Sequence, residues 1–120
     1  TVLRRVRESE RLWTELESWK RHITRIANDF SVPLWDFNSV DAYSNETPPE
    51  RSERGTSIHW YWEPAHYKRE MGELMLAKLL NRSCVTEDFP LSPGIRLSIE
   101  NLEQHLAELR SRLLTSVGQD

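Results

Sequence analysis

Residues 32–37 read Val-Pro-Leu-Trp-Asp-Phe, a short and mostly apolar run that decides the predicted fold. Pro33 is compatible with the start of a strand or with an edge strand, because proline cannot donate to a strand ladder. The run directly follows a long helical pattern, and the order helix, short loop, buried strand is typical of an αβ unit of a parallel sheet. A lone buried strand would leave its peptide groups unpaired. We therefore expect its parallel partners to come from upstream sequence or from another chain, with residues 57–62 as a weak internal candidate.

Three stretches carry the apolar spacing of amphipathic helices, which predicts helices over about residues 2–30, 65–80 and 98–117. In the first stretch the apolar residues recur at three- and four-residue steps, and such a face normally points to the core. The residues of this face are Leu12, Trp13, Leu16, Trp19, Ile23, Ile26, Ala27 and Phe30.

Single residues mark the ends and the interior of these helices. Asn81 is a predicted C-terminal stop and Ser98 a predicted N-cap. Gly72, inside the second helix, is expected where another backbone comes close. Residues 38–60 read as a long polar loop, and residues 82–97 as a connector with prolines and a glycine.

Composition excludes several classes of protein. The chain has 120 residues and a formal net charge of −3, from 16 Lys and Arg against 19 Asp and Glu, which argues against a nucleic-acid-binding protein. Cys84 is the one cysteine, so an internal disulfide is excluded. No apolar run approaches the length of a membrane span. Because the sequence starts at Thr1 and not at methionine, we expect it to derive from something longer.

The candidate chemistry lies in Glu63-Pro64-Ala65-His66, between an aromatic segment and the second helix. A carboxylate three residues before a histidine, at a turn that leads into a helix, can bind one ring nitrogen and leave the other free to accept a proton. Histidine is the side chain most readily used as a base near neutral pH. The pattern is short, and from spacing alone a structural carboxylate at a helix start beside an ordinary surface or core histidine is its commoner explanation.

Residues 61–67 read Tyr-Trp-Glu-Pro-Ala-His-Tyr and are followed by Gly72 in an apolar helix. This block resembles the last conserved block of SGNH/GDSL-type hydrolases, in which an Asp-x-x-His pair precedes the final helix, and more narrowly it resembles a group of bacterial SGNH-like proteins. The resemblance implies an α/β fold in which this chain is a fragment of a three-layer parallel sheet, predominantly helical with one or two short strands. It implies that His66 is the general base of a serine esterase or acyl-transfer protein and that Glu63 orients it.

The sequence departs from that family in two ways. Glu63 stands where the family has Asp, which moves the carboxylate by one methylene. The chain also has no glycine before Gly55, and its one Gly-x-Ser run, Gly55-Thr56-Ser57, lies in the long polar loop and not in a turn after a first strand, so the N-terminal nucleophile block and the oxyanion donors of the family are missing. Because a base without a nucleophile performs no acyl transfer, we expect this polypeptide alone to be catalytically silent.

Four aromatic residues are candidates for substrate binding: Trp60, Trp62, Trp35 and Tyr43. Their rings could stack on an ester-bearing small molecule, glycan or lipid. The alternative interpretation places Trp60 and Trp62 in the core, with Tyr61 outward, since such rings dominate core energetics. Asp36 either contacts a ligand at the end of the strand or caps the turn through Asn38.

The sequence predicts no cofactor and no metal site, because His59, Glu63 and His66 lack a fourth ligand at diagnostic spacing. Its expected partners are the ester-bearing substrate together with an upstream part of the same protein or a second copy, and not nucleic acid. The competing function is a non-catalytic helical module for protein interaction or scaffolding, in which Glu63 and His66 are structural.

Overall fold

A computed structural model describes residues 9–38, 43, 59–63, 66–82 and 93–115 of the chain. Within these ranges the fold is mixed α/β and mostly helical, as predicted. In chain order the elements are α1 (Glu10–Asp29), β1 (Leu34–Asp36), β2 (Tyr61–Glu63), β3 (His66–Tyr67), α2 (Arg69–Leu79), β4 (Ile95–Leu97) and α3 (Leu102–Thr115).

These elements belong to two compact units. The hairpin unit, described within residues 43–94, contains β2, β3 and α2. The helix–sheet unit, residues 9–38 and 95–115, contains α1, β1, β4 and α3.

Helix α1 begins where a side chain can satisfy its first free amides. Ser9 is the N-cap, and its hydroxyl accepts a hydrogen bond from the Leu12 amide at 3.4 Å. At the other end Ser31 adopts a left-handed conformation, with φ of 54°, and the Val32 amide donates to the Ala27 carbonyl at 2.8 Å. Carbonyls of the last helical turn thus accept hydrogen bonds from amides that follow the helix, and the chain turns toward β1.

Strand β1 lies within the stretch predicted from residues 32–37, but its partner differs from the expected one. It pairs antiparallel with β4, in the register Leu34↔Leu97 and Asp36↔Ile95. The expectation of parallel partners from outside the chain is therefore wrong for this edge of β1. Strand β4 escaped detection because three residues inside a Pro- and Gly-containing connector are too few to show a period of two.

The core of the helix–sheet unit is a cluster of leucines and one isoleucine between the strands and α3. Its members are Leu97, Leu102 and Leu106, with Leu34 and Ile95 packed against them. Helix α3 begins at Leu102 and not directly after Ser98. In the intervening turn the Asn101 side chain accepts from the Ser98 amide and donates to the Arg96 carbonyl.

Helix α1 buries only one edge of the face that its apolar spacing predicts, where Trp13 is buried and Leu16, Ile23 and Ala27 are half-buried. The buried residues of the helix are Trp13, Lys20 and Thr24. By contrast Trp19 is 57% exposed and Phe30, the C-cap, is 75% exposed. The helix is therefore rotated so that a row beginning at Trp13 faces β1 and α3, because Lys20 on that row has a buried partner, described below.

The hairpin unit has a separate aromatic core. Its buried members are Tyr43, Trp60, Met71 and Leu74, with Tyr61 and Met75 packed against them. The rings of Tyr43 and Trp60 meet edge to face, with centroids 4.9 Å apart.

Two single-residue predictions fall in the hairpin unit. Asn81 follows the end of α2 with φ of 52°, and its backbone amide donates a hydrogen bond to the Lys78 carbonyl. Gly72 does not face a neighbouring backbone. A Cβ at this position would lie 3.1 Å from Cε2 of Tyr67, so the glycine makes room for an aromatic side chain.

Candidate functional site

The two residues predicted as base and carboxylate are paired in the backbone of one hairpin. Strands β2 and β3 pair antiparallel, and Glu63 and His66 are partners in the register. The register shifts between Tyr61 and Glu63, as at a β-bulge, so the pairing is a property of the backbone. The side chain of Glu63 and residues 64–65 lie outside the described part of the chain. The backbone thus brings together the two residues that the sequence singled out.

The start of α2 fixes the position of this pair. Lys68, the residue before α2, has an extended backbone, and its amide donates to the Trp60 carbonyl at 2.8 Å. That bond ties the end of β3 to the segment before β2. His66 lies two residues before Lys68 and is exposed, so solvent and a second molecule can reach its imidazole.

The four predicted substrate-binding aromatics do not share one environment. Trp60 and Tyr43 are 9% and 4% exposed and form the hairpin core, which matches the alternative interpretation for Trp60. Trp62 is 71% exposed, with the Lys68 ammonium 4.9 Å from its ring centroid. Trp35 is half-buried in the helix–sheet unit beside Phe37. Trp62 is therefore the only one of the four that is exposed on the same hairpin as His66.

The helix–sheet unit contains a buried polar cluster that the sequence reasoning missed. In the Lys20 cluster, defined as Lys20, Asp36 and His105, both Lys20 Nζ and His105 Nε2 donate to Oδ2 of Asp36, the latter at 2.8 Å. The other carboxylate oxygen of Asp36 accepts from the Asn38 amide at 3.0 Å, which confirms the predicted turn cap. The cluster joins α1, β1 and α3 at one carboxylate.

Electrostatics keep this carboxylate ionised. Burial opposes ionisation of Asp36, but the hydrogen bond from His105 and the charge of Lys20 outweigh it, and the pKa of Asp36 is lowered below its ordinary value. Among the described residues every buried side-chain nitrogen or oxygen has a hydrogen-bond partner. The cluster is thus a satisfied ion pair with a histidine attached.

The Lys20 cluster is placed to hold the fold and not to react with a substrate. Its three side chains are 2%, 7% and 9% exposed, so a bound molecule would have to open the unit to reach them. No single sequence signal identifies it, since its members are separated by 16 and 69 positions. The one local hint is a lysine beside an apolar stripe, two turns before Ala27 and two turns after Trp13.

A cleft of about 530 Å³ opens elsewhere in the helix–sheet unit, between the end of α1 and the turn before α3. Its lining is mixed, with Asn28, Ser31 and Arg96 beside Val32 and Leu97. None of the predicted site residues lines it.

Comparisons of the chain with protein-family models, curated proteins and solved structures found no match. No three His, Cys, Asp or Glu side chains are grouped to hold a metal ion within the described ranges. In those same ranges no helix is both long and apolar enough to cross a membrane.

Proposed function

We propose that this chain supplies the histidine and its carboxylate to a serine ester hydrolase or acyl-transfer protein of the SGNH/GDSL type. The observation that supports this most directly is the pairing of Glu63 with His66 across a hairpin that leads into α2, with His66 exposed. The resemblance of residues 61–72 to the last block of that family supplies the reaction class.

In the proposed reaction His66 takes the proton of a serine hydroxyl that is supplied from outside this chain. The serine oxygen then forms a bond to the ester carbonyl carbon, and the protonated imidazole returns the proton to the departing alcohol. In the second half, water or an acceptor alcohol replaces the serine by the same proton transfers. Glu63 holds the imidazole in the tautomer that accepts the proton. The segments that carry the serine and the oxyanion donors would complete a three-layer fold around a parallel sheet together with this chain.

The proposed substrate is an ester-bearing small molecule, glycan or lipid. Trp62 is the aromatic residue that we propose contacts it, because it is 71% exposed and lies in the same hairpin as His66. Trp60 and Tyr43 act indirectly in this scheme, since their buried rings hold the hairpin against α2.

The test is hydrolysis of a short-chain chromogenic ester by the longest native polypeptide that contains this chain. We expect no turnover by the 120 residues alone and measurable turnover by a longer form. In that form His66→Ala should lower kcat by about a thousandfold or more, and Glu63→Gln by a smaller factor. His22→Ala is the matched control, because His22 is also exposed and its ring forms a hydrogen bond with the Ser18 carbonyl one turn earlier in its own helix. Undiminished turnover by His66→Ala would remove this residue from the reaction.

A second function, a non-catalytic interaction module, is favoured by a different observation. Helix α1 exposes large apolar side chains that the unit itself does not cover, including Trp19 and Phe30. Upstream coding sequence that contains a strand followed by a Gly-x-Ser turn would favour the hydrolase. If a full-length form contains no such segment, the interaction module becomes the better account.

A further inference from the structure

The exposed apolar side chains of α1 and its C-cap have a regular order. They form the α1 stripe, whose members step by 4, 3, 4, 3 and 4 positions: Leu12, Leu16, Trp19, Ile23, Ile26 and Phe30. Leu12, Trp19, Ile26 and Phe30 are 44%, 57%, 56% and 75% exposed, and the other two are half-buried. Alternating steps of three and four residues are the spacing with which one helix packs lengthwise on another.

We propose that the α1 stripe is the interface of a homodimer, in which α1 of a second copy packs against it antiparallel. Reversing the second helix about the middle of the stripe sets Leu12 opposite the partner's Phe30. The same operation sets Trp19 opposite the partner's Ile23. A two-fold axis makes every such contact occur twice, as a closed dimer requires.

The charges beside the stripe are complementary in the antiparallel direction, and two of them, Arg11 and Glu15, also pair with each other within α1 at 3.0 Å. A polar row follows the stripe on the side away from the unit's own core, with Arg11 and Glu15 near its start and Arg25 and Asp29 near its end. In the antiparallel pair Arg11 lies within one turn of the partner's Asp29. Glu15 likewise lies within one turn of the partner's Arg25. In a parallel pair this polar row would face the opposite flank of the partner helix, so these pairs of opposite charges would not form.

The area of the stripe is sufficient for a dimer of modest affinity. A helix of 20 residues is about 30 Å long, and an aromatic side chain offers about 150–250 Å². The stripe thus exposes on the order of 500 Å² of apolar surface, comparable to the largest apolar patch of a typical monomer, which often serves binding. Two copies would bury about 1,000 Å², the lower bound for a specific interface. We therefore expect a reversible dimer with a dissociation constant in the micromolar range.

The test is sedimentation equilibrium of the 120-residue chain over a range of concentrations. The wild-type chain should dimerise, and Trp19→Lys should weaken the dimer more than tenfold. Leu114→Lys on α3 is the matched control, since Leu114 is 62% exposed but lies off the stripe, and it should leave the dimer unchanged. Because these side chains are exposed in the single chain, each variant should keep its helices. Circular dichroism checks this.

The direction of packing is tested by exchanging charges. Glu15→Arg and Arg25→Glu alone should each weaken the dimer about two- to tenfold, and the double variant should return to near the wild-type value. If the wild-type chain stays monomeric at every concentration, the proposal is overturned, and another polypeptide segment is then the candidate to cover the stripe. A dimer that is insensitive to Trp19→Lys, or single charge variants without rescue in the double, would overturn the interface as drawn. Esterase activity plays no part in these measurements, so their outcome is independent of the proposed function.

Discussion

In the hairpin unit the side chains that hold the helix to the strands are apolar, whereas the helix–sheet unit adds a buried lysine, aspartate and histidine to its leucines. When an apolar side chain is truncated, the loss of folding stability is roughly proportional to the buried apolar surface that is removed. A buried ion pair behaves asymmetrically, because loss of one member leaves the other charged and unpaired. The two units should therefore respond in different ways to single substitutions, and this difference can be measured.

The largest effect is expected from Lys20→Met. The substitution leaves the Asp36 carboxylate buried with only His105 and the Asn38 amide, and it should lower the free energy of unfolding of the helix–sheet unit by about 3–5 kcal/mol. The measurement is urea denaturation, together with amide hydrogen exchange in α1 and α3, which separates this unit from the hairpin unit.

The matched control for this prediction removes both charges. Lys20→Met combined with Asp36→Leu should be clearly more stable than Lys20→Met alone, because no unpaired charge remains. If the double variant is as unstable as the sum of the two single variants, the asymmetry between the two units is not real.

The hairpin unit should respond to loss of apolar volume. Met71 on α2 is 1% exposed, and Met71→Ala should lower the free energy of unfolding of this unit by about 2–5 kcal/mol. Leu76→Ala in the same helix is the control, since Leu76 is 55% exposed and its truncation should change the free energy by less than about 0.5 kcal/mol. Amide exchange in α2 reports both values. Equal effects of the two truncations would mean that α2 does not pack as described.

Acid should distinguish the units through Asp36. Its pKa is lower in the folded chain than the ordinary value of 3.8, so folding is favoured by its ionised form. The contribution is fully present above about pH 4 and is lost as the pH falls through the folded pKa. As the pH falls below about 4, the protection of α1 amides from exchange should therefore decrease more in the wild-type chain than in the Asp36→Asn variant. The variant has no carboxyl group at this position to protonate. Glu103, whose pKa is also lowered by Arg21, is tested separately with Glu103→Gln.

The sequence predicted what depends on neighbours along the chain and missed what depends on distant pairs. The helices, the stop at Asn81 and the turn cap of Asp36 follow from spacing and from local hydrogen bonding. The partner of β1 could not be predicted, because β4 is three residues long and follows some sixty positions later. The rotation of α1 was missed for the same reason, since it depends on Lys20 meeting a carboxylate on β1 that also binds a histidine on α3.

In the candidate site the spacing of Glu63 and His66 was enough to predict that they are neighbours, and the hairpin register agrees. Which tryptophans are exposed could not be read from the pattern. Residues 60–62 are all aromatic, so the period of two that would separate the buried side chains from the exposed ones is hidden.

The smallest effect compares the ends of α1 and α2. Ser31 and Asn81 follow these helices with φ of 54° and 52°, in the left-handed region that favours glycine. Asparagine tolerates this region better than serine, because its short side-chain amide can form hydrogen bonds with the local backbone. Ser31→Gly should therefore raise the free energy of unfolding of the helix–sheet unit by about 0.5–1 kcal/mol, and Asn81→Gly should raise that of the hairpin unit by less. Amide exchange in α1 and α2 provides both values, and a larger gain at Asn81 than at Ser31 would show that side-chain bonding does not relieve the strain in α2.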